Sequence, residues 1–237
     1  MMSIAHPKRF MAVSGKLLPW LAAGAGLCLC AGLALGLTAP PDIRQGDAVR
    51  IMFVHVPAAW TAMMAFGLIA VFSIVGLVTR HPLADVAAKT AAPLGATFAA
   101  LGLITGSLWG RPMWGAWWVW DGRLTSFLLL FLIYLGLIAL RGAVEGETRA
   151  ARACAILAIV GAVDLPIIEF SVSWWTTLHQ GASILRQGGP AMAAVFLRPL
   201  FLMALGYTLL FFSLWLVRIR TEILNRRART LMLSRAA

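Results

Sequence analysis

Two of the four histidines, His55 and His179, stand on either side of a segment unlike the rest of the chain. That segment is Trp109-Gly-Arg-Pro-Met-Trp-Gly-Ala-Trp-Trp-Val-Trp-Asp121, with five indoles in thirteen residues. The other two histidines, His6 and His81, each precede a proline in basic segments and read as turn residues. Two neutral imidazoles with no thiolate or carboxylate cluster make a poor zinc site, which takes three or four ligands. They suit the axial positions of a haem iron, whose porphyrin supplies the other four donors. The indoles fit the same ligand, because a large flat apolar ring gains about 0.5–1.5 kcal/mol per aromatic contact beyond area burial. Carbohydrate also stacks on Trp, but it would want several Asn, Asp and Gln nearby, and these segments have few.

Each residue has a plainer reading. A lone histidine is more often structural than a ligand, and Trp accumulates at membrane interfaces as an aromatic belt. The belt accounts for Trp20, Trp60 and Trp215. It does not account for one loop holding Trp114, Trp117, Trp118 and Trp120, since a belt spreads over both faces and all helices. Haem propionates prefer arginine, and Arg50 and Arg123 lie closest in sequence to His55 and the Trp loop. Both could instead be ordinary flanking charges, and Asp121 could cap the helix that follows.

The elements that carry these residues are apolar. The chain of 237 residues is 61% hydrophobic and 12% charged, with mean hydropathy +0.86, against roughly a quarter charged in soluble domains. Apolar runs near twenty residues recur, each long enough as a helix to cross about 30 Å of hydrocarbon. Six spans follow, at residues 17–37, 57–79, 91–109, 124–140, 153–170 and 199–217, with a Trp-rich loop at 110–123. The expected fold is an all-α membrane protein with six transmembrane helices, residues 1–237 forming a single membrane domain. Pro57 would open the second helix, leaving His55 just before it.

Orientation comes from the basic residues. The N-terminus, the 80–89 and 141–152 loops and the C-terminus hold 14 of the 20 Lys and Arg. Arg44, Arg50, Arg111, Arg123, Arg186 and Arg198 occupy the alternate loops. The positive-inside rule then puts both termini in the cytoplasm, and His55, the Trp loop and His179 at the outer face. The same distribution explains the net charge of +11 without nucleic acid. Arg226-Arg227-Ala228-Arg229 reads as a cytoplasmic anchor near anionic lipid. Cys28, Cys30 and Cys154 lie in apolar spans with no CxxC or CxxCH, so no covalent haem attachment is indicated. Asp164 and Glu169 flank Pro166 in the fifth span. They could mark a proton or ion path, or bond the backbone that Pro166 frees.

With these residues in view, Trp114-Gly-Ala-Trp-Trp-Val-Trp-Asp121 resembles the WGxxWxWD signature of membrane haem-handling proteins of cytochrome c maturation. His55-Val-Pro-Ala-Ala-Trp60 and Phe170-Ser-Val-Ser-Trp-Trp-Thr-Thr-Leu-His-Gln-Gly181 are similar to the CcmC branch, haem exporter protein C, and the resemblance runs along nearly the whole chain. It implies a multi-pass protein of the bacterial inner membrane that holds haem b without covalent attachment. The iron would lie between His55 and His179. Trp114, Gly115, Trp118, Trp120 and Asp121 match the signature, whereas Trp117 falls on a variable position. The resemblance also implies delivery of haem to the chaperone CcmE, with the small subunit CcmD and the ABC transporter pair CcmA/CcmB as partners.

Three classes compete. The first is a non-enzymatic haem-binding and delivery protein. A cytochrome b-like electron carrier would need haems at two depths, and no histidine lies near the middle of a span. A transporter that itself carries haem would show a nucleotide-binding motif or more polar midspan residues, unless a partner supplied the energy. The expectation is the first class.

Overall fold

The computed structural model describes residues 7–179, 181, 184 and 187–236, and it is helical throughout its long elements. His6 and Arg186 lie outside the described residues. Helix α1 spans Pro7–Leu37, α2 Met52–Thr79, α3 Pro82–Trp114 and α4 Gly122–Ala143. Helices α5 (Glu147–Gly161) and α6 (Asp164–Trp174) follow one another along one crossing, and α7 spans Ala194–Ala236. A 3₁₀ turn, Asp47–Ile51, runs directly into α2. Six of these helical stretches, with α5 and α6 taken together, are long and apolar enough to cross a membrane.

The helix ends follow from local chemistry. His81 caps α3, its Nδ1 accepting the Leu83 N–H at 3.2 Å, and Pro82 occupies the first position, where a missing N–H costs nothing. Helix α2 ends at Arg80, in the left-handed conformation at φ 54°, with its N–H on the Gly76 carbonyl. Helices α2 and α3 pack as a hairpin, α1 lies along α7, and α4 with α5 and α6 completes the bundle.

The helices define two ends. At the terminal end, Arg220 on α7 donates to the Met11 carbonyl and to Ser14 Oγ on α1, so the N-terminal and C-terminal helices meet there. An ion-pair network joins helices at the same end. Arg141 makes two hydrogen bonds to Asp85, Arg226 reaches Asp85 at 3.0 Å and Glu222 at 2.9 Å, and Lys89 reaches Glu222 at 2.7 Å. Glu147 lies 3.8 Å from both Arg226 and Arg229. The arginine run near the C-terminus is thus partly an internal clamp. The opposite end, here the tryptophan end, carries the first loop, the Trp loop and the loop after α6.

Several expected boundaries move. Helix α1 begins at Pro7 rather than 17, α3 runs from Pro82 through Trp114 rather than over 91–109, and α7 continues through 43 residues. An apolar run marks only the stretch that needs hydrocarbon, whereas a helix continues into polar residues of good propensity. The Trp loop shortens accordingly, since Trp109 and Trp114 stand on α3. Pro57 does not open α2, because the helix starts at Met52 and takes His55 into its first turn. The preceding 3₁₀ turn supplies the nucleus, and a proline inside a membrane helix is tolerated where neighbouring elements pack around it. The fifth span breaks at Ala162–Val163, just ahead of Pro166, which has no N–H to give to a continuous helix.

Two further expectations change. Trp215 is no belt residue: it is buried, donates Nε1–H to the Ala87 carbonyl at 2.9 Å and packs on Phe72 and Phe211. Asp164 does not bond the backbone freed by Pro166. It is buried, and neither carboxyl oxygen has a partner among the described residues.

Candidate functional site at the tryptophan end

His55 sits in the first turn of α2, against α3. Its Nδ1 lies 3.0 Å from the Gly102 carbonyl and 3.3 Å from Thr105 Oγ1. A carbonyl has no proton to give, so Nδ1 carries the hydrogen and donates it. In a neutral ring that leaves the lone pair on Nε2. Thr105 already donates to Leu101 and can only accept from the imidazole. Gly106 supplies the space: a methyl there would stand 2.8 Å from His55 Cε1. The Trp109 indole meets the same ring edge-on, with centroids 5.6 Å apart, and donates Nε1–H to Gln45 Oε1 at 3.1 Å. Asp42 folds the first loop that presents Gln45, its Oδ1 accepting the Arg44 and Gln45 N–H groups.

Asp121 organises the second half of the site. Its Oδ1 accepts the Leu124 N–H at 2.8 Å and caps α4. Its Oδ2 accepts the Thr177 hydroxyl and lies 3.5 Å from His179 Nδ1, a long contact that is mainly electrostatic. Thr177 Oγ1 in turn accepts the His179 backbone N–H at 3.1 Å. The helix cap and the histidine loop are therefore one unit: Asp121 caps α4, as one reading of it expected, and the same carboxylate faces Thr177 and His179. Burial raises the Asp121 carboxyl, but the Leu124 amide, the Thr177 hydroxyl and His179 outweigh it and hold it below its usual range. An ionised carboxylate accepts only, so His179 Nδ1 carries the proton and Nε2 again keeps the lone pair. Burial lowers the His179 pKa below the ordinary value, with Asp121 pulling the other way. Burial thus favours the neutral ring, the form that ligates metals.

The Trp loop is fixed from both sides. Gly115, at φ 76°, takes the left-handed position that ends α3, with its N–H on the Arg111 carbonyl and its own carbonyl accepting from the Arg111 guanidinium. Ser107 donates to the Trp117 carbonyl at 2.7 Å. Trp114 meets the His179 ring edge-on at 4.8 Å, and Trp118 meets Trp120 at 5.4 Å. Trp118 Nε1 is buried with no acceptor among the described residues. Trp120 is 74% exposed, and with Trp175, Thr125 and Gly122 it lines an open groove of about 470 Å³. Trp117 points outward, within 6.0 Å of the Arg111 guanidinium.

The two arginines differ. Arg123, on the first turn of α4, donates to the Ile168 carbonyl at 3.3 Å and to that of Glu169 at 3.5 Å, and it interacts electrostatically with both histidines. Arg50 is turned to the Ala39 carbonyl and to Asp47, 3.1 Å away. The structure thus gathers His55, His179, Trp114, Asp121 and Arg123, and it sets Arg50 aside on the first loop. Among the described residues no three His, Cys, Asp or Glu side chains cluster as a centre for a bare metal ion.

Thr105, Gly106, Thr177 and Gln45 are not legible as site residues in the sequence. Gly106→Ala makes a direct check. The added methyl displaces the His55 ring, and haem retention is expected to fall by about tenfold, the lower end of losses when a ligand's orienting contacts are removed. Retained haem per protein after detergent purification measures it. Gly67→Ala, on the helix that carries His55, serves as control, because a methyl there meets only Leu165, at an ordinary 3.9 Å.

Taken together, six membrane-length helices define a multi-pass, all-helical membrane protein, with two oriented imidazoles and a tryptophan loop at one end. The sequence model of the family described as Heme exporter protein C matches residues 1–234. A Heme exporter protein C of Bradyrhizobium diazoefficiens is 55% identical over 237 residues, covering 100% of this chain and 90% of the relative. That of Paracoccus denitrificans is 48% identical over 96% of this chain and 95% of its own. That of Escherichia coli K12 is 44% identical over 93% of this chain and 89% of its own. The chain belongs to the Heme exporter protein C family.

Proposed function

We propose that the chain binds haem b non-covalently at the tryptophan end and delivers it to a chaperone for c-type cytochrome maturation. One observation carries the reading. Both His55 and His179 have Nδ1 committed to an acceptor, which leaves two Nε2 lone pairs at the same end of the bundle. A ligating histidine is commonly oriented in this way through its other nitrogen. Haem brings an iron that needs two axial donors and a flat apolar ring; the chain brings the imidazoles and the indoles of Trp114, Trp118 and Trp120.

The other residues follow from that assignment. Gly115 and Asp121 shape the loop. The buried Trp118 Nε1–H, which has no acceptor among the described residues, is a donor that a bound ligand could satisfy. Arg123 offers a propionate partner close to both histidines, while Arg50 would have to leave Asp47 to provide a second. The excess of Lys and Arg at the terminal end supports cytoplasmic termini and a periplasmic haem site in the inner membrane. The relatives' name supports work in haem export, and the resemblance of the tryptophan signature adds CcmE as acceptor with CcmD and CcmA/CcmB as partners.

Transfer needs a site that holds the ring without enclosing it. Three indole contacts contribute about 1.5–4.5 kcal/mol beyond burial, enough to orient a porphyrin and still release it. The triple variant Trp114→Ala, Trp118→Ala, Trp120→Ala is expected to insert normally and to load less haem on co-expressed CcmE. Haem recovered with the purified chaperone is the measurement. Undiminished loading at equal membrane abundance returns those indoles to the aromatic belt.

A further inference from the structure

A large cavity lies at the terminal end, away from His55 and His179. It has a volume of about 1560 Å³ and is walled by the ends of α2, α3, α4, α5 and α7. Its inner part is apolar, with Ile69, Phe72 and Leu137, and its rim is charged. Seven Lys and Arg face three acidic residues there. The ion-pair network accounts for all three acids and for four of the cations. Arg80, Arg152 and Arg218 remain, exposed and without an ion-pair partner among the described residues.

Arg80 adds an independent observation. It is the one non-glycine residue with positive φ among the described residues, at a helix C-cap where glycine is easier to accommodate. The chain keeps a cation at a position whose backbone prefers none.

We propose that this cavity binds an anionic phospholipid, its phosphate at Arg80, Arg152 and Arg218 and an acyl chain against the apolar inner wall. The occupant follows from charge and shape: an apolar recess under a cationic rim matches an anionic amphiphile. Basic pockets between membrane helices on the cytoplasmic side hold such headgroups. The assignment of this end to the cytoplasmic leaflet rests on the orientation proposed above, but binding itself can be tested in detergent, independently of orientation and of haem.

The test uses the purified full chain in neutral detergent, by native mass spectrometry and thermal unfolding. Phosphatidylglycerol, phosphatidylcholine and inorganic phosphate are the probes. Phosphatidylglycerol is expected to give a bound adduct and to raise the melting temperature, and phosphatidylcholine and phosphate are not. Arg80→Gly keeps the left-handed cap, so its lipid-free melting temperature should not fall. Its phosphatidylglycerol affinity should drop by about fivefold, the share of one arginine near an anionic surface. Arg80→Gly with Arg152→Gln and Arg218→Gln should lose the adduct while leaving the haem spectrum unchanged. Equal binding of phosphatidylcholine, an unchanged adduct in the triple variant, or full stabilisation by phosphate alone would each overturn the proposal.

Discussion

Replacing Asp121 with alanine is expected to lower both the stability of the fourth helix and the retention of haem. The carboxylate does three things at once: it caps α4 through Leu124, accepts the Thr177 hydroxyl and faces His179 Nδ1. Loss of the cap costs about 1 kcal/mol. Loss of the acceptor leaves the half-buried Thr177 hydroxyl without its partner, at about 1 kcal/mol. The imidazole then loses the group that orients it, which for ligating histidines lowers affinity by about 10- to 100-fold. Asp121→Asn separates these effects. Asn is as good a helix cap, so melting should fall less than in the alanine variant, but with its one oxygen on Leu124 its amide nitrogen can accept neither from Thr177 nor from His179 Nδ1. Haem retained per protein should fall in both variants, and melting temperature chiefly in the alanine variant. Wild-type haem in Asp121→Asn would reduce Asp121 to a helix cap.

That double duty is half visible in the sequence. An aspartate before an apolar run reads as a cap, and the indoles ahead of it read as a platform. What joins them is hidden, because Thr177 lies 56 residues along the chain from Asp121 and nothing in its spacing marks it. The same holds for Thr105 and Gly106, which serve His55 from another helix. A side-chain environment built across helices leaves no periodic trace on either one. The six spans are legible because hydrocarbon imposes a length on each. Their ends are not, since helix α3 extends to Trp114 and α7 through its arginines, beyond what hydropathy registers. The break at Ala162–Val163 does have a signal in Asp164-Leu-Pro166, a capping-type residue and a proline within the first turn of a new helix. Arg50 shows the converse: nearness to His55 in sequence does not bring its guanidinium to the ring, because Asp47 and the Ala39 carbonyl hold it on the first loop.

The histidines carry the largest expected effect. Each Nε2 is one of only two protein donors proposed for an iron already held by four porphyrin nitrogens, so neither can be replaced by a neighbour. His55→Ala and His179→Ala should each convert a six-coordinate low-spin haem into a five-coordinate or water-ligated one, with most of the haem lost on purification. The double variant should retain almost none. Imidazole added to a single variant should restore part of the low-spin signal, because it refills the vacated axial position without repairing the fold. The sensitive measurement is the absorption and electron paramagnetic resonance spectrum of the purified full chain, wild type beside the two single variants and the double variant, at equal protein. The account predicts a bis-imidazole low-spin spectrum in the wild type, changed by either substitution and absent when both are made. An unaltered low-spin spectrum in the double variant would contradict it.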